Sequence, residues 1–358
     1  MGAVTVLIFH PPPAAGAGAL TAALDAARRE LATRHAAGFR AAGAAEVAVV
    51  EEAHDEPFGA RVRRLARSIS TPGLVILGSG SLALARSEDY DAFVAAAASD
   101  RPTALANNRY SADAVAVSRA VVLGDLPDLP ADNALPRWLE EVAGYPVADL
   151  RRRGRLAFDL DSPADVLLLG GAPPAAAGAS PLPARLHAIQ SVMADRRSEL
   201  TVAGRTSVST LAHLERRTAC RIRALVEERG LRAASRLAQA PGGAAVSARA
   251  PASTLGMLLD RDGPEALGLI LALLGDGAVV DTRVLLAHHL GPDEASWPAA
   301  EDRFASDLLL PDRIEDPWLR ALTAGAIDAP IPVLLGGHTL VGPGIRLLTG
   351  SLPTGRLA

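Results

Sequence analysis

Two aspartates, Asp159 and Asp161, stand one residue apart in the segment RLAFDLDSPADVLLL, residues 155 to 169. If RLAFDL is a strand, alternation puts both carboxylates on one face at its carboxyl end. There they could hold one Mg²⁺, with water and phosphate oxygens completing an octahedron. The next residues also make an ordinary helix start, with Ser162 as the cap and Pro163 in the first helical position. A second constellation lies in TALANNRYSAD. The chain has three asparagines and no lysine, yet Asn107 and Asn108 are adjacent. An amide offers two donors and an acceptor without charge, suited to a base edge, a ribose or another amide. Arg109 beside them could hold a phosphate or carboxylate, and Tyr110 could stack on a ring. The competing explanation is a local turn, where asparagine is favoured.

Glycines mark two further places. Gly16 and Gly18 precede a helix and could let a phosphate approach its N-terminus. Gly78, Ser79, Gly80 and Ser81 follow an apolar run, where amides and hydroxyls could cradle phosphate or simply turn the chain. In the second half, Arg283, His288, His289, Arg303 and His338 fall at the ends of apolar runs. Arginine with neutral histidine favours an anionic ligand over a metal, because a guanidinium repels cations. Only one of His288 and His289 could serve if their segment is extended. GRTS, residues 204 to 207, is another candidate anion cradle before a basic helix.

The elements that must position these residues alternate over the first 170 positions. VTVLIF, EVAVV, GLVILG, TALANN, DAVAVS and RLAFDL read as strands; the stretches between several of them read as helices. Ser87 is expected to cap one and Asp132 or Asn133 another. This order predicts an α/β fold with a mostly parallel sheet sandwiched by helices, ligands sitting at the carboxyl ends of strands. The expected organisation is a first domain over residues 1–172, a Gly/Pro/Ala linker over 173–185 and a second mixed α/β domain over 186–358. In the latter, the spacing of Leu211, Leu214, Ile222, Leu225 and Val226 predicts one helix from Ser209 to Arg229, ended by Gly230. A loose insertion, AQAPGGAAVSARAPAS, follows.

Composition limits the partners. A net charge of −4 supplies no field for nucleic acid or a membrane surface. One cysteine, Cys220, excludes an internal disulfide framework, and the longest apolar run is half a membrane span. The chain therefore reads as cytoplasmic, and it is compatible with a homo-oligomer.

The order Asp159, Asp161, Ser162, Pro163, Asp165, Val166 resembles the final core strand of the small nucleotidyltransferases. That group includes the molybdenum-cofactor and 2-phospholactate guanylyltransferases, and the likeness covers the first half of the chain. It implies a Rossmann-like domain, a bound nucleotide, Mg²⁺ on Asp159 and Asp161, and transfer from an NTP to a small anionic acceptor with release of pyrophosphate. The chain departs from the family twice. No lysine or arginine precedes Arg28 in the first loop, and Gly78–Ser81 stand where the family has a metal-binding aspartate. Asp125, in GDLPDLP, is too close to Asp159 to replace it, while Asp113 is a candidate substitute. Metal-dependent transfer is accordingly expected to be weak, and the alternative function is a catalytically silent scaffold or regulatory metabolite-binding protein.

Overall fold

The computed structural model describes residues 2–52, 56–172, 174–228 and 251–350. Contacts group the chain into two compact units. The first takes the residues up to Ala14 and Asp25–Asp159; the second takes Ala15–Leu24 and, from Leu160 onward, the remaining described residues.

The first unit contains β1 (Val4–Phe9), most of α1 (Ala19–Ala41), β2 (Glu46–Val50), α2 (Phe58–Ser68), β3 (Gly73–Gly78), α3 (Ser87–Ala97), β4 (Ala104–Ala106), β5 (Ala114–Val117), α4 (Leu135–Glu141) and β6 (Val147–Asp149). The sheet order is β2-β1-β3-β5-β4-β6, with β5 alone antiparallel to its neighbours. The apolar run of β1 is buried throughout because both faces are covered. Val4, Val6 and Ile8 pack with Ala32, Ala36 and Phe39 of α1 and Phe93 of α3. Leu7 and Phe9 pack with Val62 of α2 and Leu135 and Leu139 of α4. This period-two split of an all-apolar strand is what a sheet with helices on both faces demands. The α/β expectation for this half is the observed fold.

The second unit contains α5 (Pro163–Leu168), α6 (Leu182–Ala194), β7 (Glu199–Gly204), α7 (Val208–Arg217), β8 (Arg221–Val226), α8 (Thr254–Asp262), α9 (Leu267–Ala272), β9 (Gly277–Asp281), α10 (Thr282–Leu290), α11 (Ala300–Asp307), α12 (Pro317–Ile327), β10 (Val333–Gly336) and α13 (Ile345–Gly350). Its four strands are all parallel, in the order β10-β9-β7-β8. Among the described residues, no helix is long and apolar enough to cross a membrane.

Two expected elements differ. The single helix from Ser209 is two elements: α7 ends at Arg217, and Ile222, Leu225 and Val226 lie in β8. Parallel pairing with β7 from Glu199↔Arg221 to Gly204↔Val226 overrides the helical spacing. Arg229, Gly230 and most of the AQAPGGAAVSARAPAS segment lie outside the described residues. Nor is RLAFDL a strand. Residues Gly154–Ala157 form a 3₁₀ turn, and the backbone beyond it binds a loop instead of a sheet neighbour: Phe158 accepts from the Ala83 amide at 2.9 Å.

Smaller caps also shift. Ser162 caps α5, with Asp165 completing a capping box, whereas the α3 cap is Arg86, whose amide donates to Asp89. For α4, Ala134 takes the cap position after a 3₁₀ turn.

Candidate functional site

The carboxyl edge of the first sheet gathers the loops after β1, β3, β4 and β6. Adjacent strands β1 and β3 continue to opposite sides, β1 to β2 and β3 towards β4, an arrangement that in open α/β sheets marks a ligand crevice.

The turn after β3 is fixed from several directions. Ser79 donates its amide to Phe9, and its hydroxyl lies 2.9 Å from His10 Nδ1. Ser81 Oγ donates to Gly78 O at 2.6 Å. His35 Nε2 lies 2.8 Å from Ser81 O while its Nδ1 meets the Tyr90 hydroxyl at 2.9 Å. Arg34 donates to Ala83 O. Leu82, fully buried, adopts a φ of 54°, a left-handed conformation unfavourable for a side chain with a Cβ. Asp159 Oδ1 accepts the Leu82 amide at 3.1 Å and helps hold that conformation. The Gly80 amide has no hydrogen-bond partner among the described residues.

His10 Nε2 also lies 3.4 Å from Asp25 Oδ1. Serine, histidine and aspartate in this order have the makings of a nucleophilic relay. Their exposure argues otherwise: Ser79 is 4 % exposed and His10 1 %, so the solvent-facing member is Asp25. Burial lowers the His10 pKa against the pull of Asp25, and the neutral ring ties the β1 loop to the β3 turn. Composition gave no hint of His10; its signal was a lone polar residue directly after VTVLIF.

The two aspartates expected to share Mg²⁺ have separate occupations. Asp159 is 7 % exposed and engaged with Leu82 in the first unit. Asp161 belongs to the second unit, where its Oδ2 lies 3.6 Å from His338 Nδ1 and 3.5 Å from Thr339 Oγ1. The expectation that one strand presents both on one face fails with the strand itself. Among the described residues no group of three His, Cys, Asp or Glu side chains is placed to hold a metal. Asp165 is buried beside Asp161 with its pKa raised, first by burial and then by Asp161, while its Oδ2 accepts the Asp161 and Ser162 amides.

The asparagines divide the two roles proposed for them. Asn107 is 2 % exposed; Oδ1 accepts the Asp113 and Ala114 amides, and Nδ2 donates to Asp113 Oδ2 and Leu156 O. The Asp113 carbonyl in turn accepts from the Gly78 amide and Ser81 Oγ, so Asn107 braces the same turn without facing a ligand. Asn108 accepts from the Tyr110 amide within its own turn. That turn carries Tyr110 out, 48 % exposed. Three guanidinium groups surround its ring: Arg151 at 5.3 Å from the centroid, Arg137 at 5.4 Å and Arg109 at 5.9 Å. Arg109 pairs with Glu140 and Arg151 lies 3.4 Å from Asp149. Arg137 has no carboxylate partner among the described residues, and its buried Nε has no acceptor.

Gly16 and Gly18 lead into α1 as expected, but an anion from the chain itself is already there. Glu301 accepts from the Leu20 and Thr21 amides and the Thr21 hydroxyl at 2.9–3.0 Å. A Cβ on Gly18 would lie 2.2 Å from the Glu301 carboxyl carbon, which explains the glycine there.

In the second unit the expected anion site does not assemble as a whole. Arg283 is buried against Asp307, with Nη2 2.7 Å from Oδ2, and Asp307 keeps the guanidinium pKa raised despite burial. His288 accepts the Ser253 amide and lies 2.9 Å from Asp260, whereas His289 stacks on Trp318 at 4.5 Å. Both sit on α10, a helix and not a strand, because Asp281 caps it by accepting the Arg283 amide. Arg303 packs over Trp297 and reaches Glu294 at 3.3 Å. Arg205, in the GRTS segment expected to cradle an anion, grips Asp281 through Nε and Nη2 at 2.6 and 3.0 Å. Burial opposes ionisation of Asp281, but Arg205 outweighs it and its pKa is lowered.

No protein-family model matches this chain, and no curated protein matches its sequence.

Proposed function

We propose that the chain binds a nucleotide, or a comparable phosphorylated aromatic metabolite, at the carboxyl edge of its first sheet. This is the catalytically silent alternative to a Mg²⁺-dependent nucleotidyltransferase. The observation that carries it is the exposed Tyr110 ring among Arg109, Arg137 and Arg151. An aromatic face stacks on any base, and a guanidinium takes phosphate oxygens in a planar, two-pronged contact. Arg137, with no carboxylate partner among the described residues, is the natural phosphate ligand, and the shape of the edge is set beforehand by Asn107 and Asp159. Transfer chemistry is not assigned, because Asp159 serves the Leu82 amide.

Titration calorimetry of the full chain against nucleoside mono-, di- and triphosphates, with and without Mg²⁺, tests this. Base stacking contributes about 1–3 kcal/mol, so Tyr110→Ala should weaken binding by roughly fivefold or more while Tyr110→Phe preserves it. Asp159→Asn, which keeps an acceptor for Leu82, should leave affinity unchanged. Equal affinity in wild type and Tyr110→Ala, or binding that vanishes with Asp159→Asn in a folded protein, would overturn the assignment.

A further inference from the structure

The second unit carries another cluster that the nucleotide reading does not use. β7 ends at Gly204, where φ is +124° and a Cβ would lie 2.3 Å from that of Asp281. From there the chain runs Arg-Thr-Ser-Val-Ser-Thr into the ten-residue helix α7. Ser207 caps the helix by accepting the Thr210 amide at 3.1 Å, and its hydroxyl lies 3.0 Å from Ser209 Oγ and 3.1 Å from Thr210 Oγ1. Arg346, from α13, donates through Nη2 to Ser209 Oγ at 2.8 Å and to Thr210 Oγ1 at 3.3 Å.

Two independent features point beyond an ordinary cap. Thr206, directly before the capping serine, is 7 % exposed, and its buried hydroxyl has no partner among the described residues. Arg346, Arg216 and Arg217 have no carboxylate within ion-pair distance among the described residues. Burial and then Arg216 lower the Arg346 pKa. His213, 2.8 Å from Thr349 Oγ1, is likewise lowered, first by burial and then by Arg346, Arg217 and Arg216. Arg205 and Arg283 of this unit face acids, Asp281 and Asp307, and Arg185 and Arg320 donate to backbone carbonyls. At the start of α7 the hydroxyls, the helix dipole and the cation all favour negative charge, and among the described residues no acid supplies it. Val208 is 83 % exposed, so the turn is reachable from solvent.

We propose that the α7 turn, with Thr206, Ser207, Ser209, Thr210 and Arg346, is a phosphate-binding site for a phosphomonoester, separate from the Tyr110 site and independent of that assignment. The hydroxyls and N-terminal amides donate to the phosphate oxygens, and Arg346 neutralises their charge.

The test titrates inorganic phosphate into the full chain at constant ionic strength, against chloride, following the His213 ring resonances and the Tm. Saturable binding should raise the Tm and move the His213 pKa upward, because added negative charge relieves the arginine field. Arg346→Gln should weaken binding by about tenfold, the loss of one charge-assisted hydrogen bond. Thr206→Val, which keeps the shape and removes the hydroxyl, should weaken it severalfold. Tyr110→Ala should leave it unchanged. No saturable response in wild type, or the same response in Thr206→Val and Arg346→Gln, overturns the site. If Arg346→Gln does not fold, Thr206→Val decides alone.

Discussion

At the carboxyl edge of the first sheet, the buried polar side chains mostly serve backbone groups. Asn107 takes two amides and gives to a carbonyl, Asp159 takes the Leu82 amide, and neutral His35 bonds to Ser81 O. At the corresponding edge of the second sheet they are ionised and serve one another, Arg205 with Asp281 and Arg283 with Asp307. The first strategy gives loops a fixed shape; the second settles charge internally before any ligand arrives. Arg137 at one edge and Arg346 at the other, each without a carboxylate partner among the described residues, therefore stand out for different reasons. Arg137 borders an exposed aromatic ring, whereas Arg346 faces hydroxyls and a helix start.

That contrast predicts where the fold breaks most easily. Asp307→Ala leaves Arg283 buried without its counter-charge, and destabilisation of about 3–5 kcal/mol is expected in chemical denaturation. The double change Arg283→Met with Asp307→Leu should recover most of it. A loss under about 1 kcal/mol in the single variant would mean that water reaches the pair and the contrast is overstated.

The first edge should instead respond to acid. Burial holds His35 at about 4, against 6.5 for a free imidazole. The folded form thus refuses a proton that the unfolded chain accepts, so the His35 contribution is intact above pH 6.5 and falls away as pH drops towards 4. The full swing is of order 3 kcal/mol. His35→Gln should flatten the stability–pH curve over that interval, and an unaltered curve would place the acid sensitivity elsewhere.

A smaller effect is expected at Asn107. Replacing it with alanine strands the Asp113 and Ala114 amides and the Leu156 carbonyl, for a loss of about 2–3 kcal/mol. If Tyr110 binds as proposed, the same change should also weaken ligand affinity, since Asn107 braces the β4–β5 connection from which Tyr110 projects. Unchanged stability would show that the turn holds without its asparagine.

Much of the first sheet was legible because its strands, such as VTVLIF and GLVILG, are continuous apolar runs bounded by glycine or proline. β8 was not, since RIRALV is an edge strand in which only Ile222 and Leu225, three residues apart, are partly buried, and it takes its identity from β7, beyond any local pattern. The segment around Asp159 misled for a related reason. Its apolar residues are buried by a loop, and loop and strand burial look alike in sequence. In the segment 107–110, singled out in the sequence for its asparagines, the turn explanation describes Asn107 and Asn108, and Tyr110 is the residue that reaches solvent. The Glu301 carboxylate on α1 had no local signal at all, because its partners are 280 and 281 residues away.

That last contact bears on the order of events during synthesis. Ala15–Leu24 groups with the second unit although it is among the first segments made. The amides of residues 20 and 21 must wait for Glu301 to leave the ribosome, on the order of 15–60 s later at ordinary elongation rates. Through that interval α1 can already pack its Ala32, Ala36 and Phe39 face on the nascent sheet while its first turn frays. The helix is thus completed last at the end that was translated first. Expressing the two halves as separate polypeptides, split after residue 159, would strand its first turn on the wrong piece.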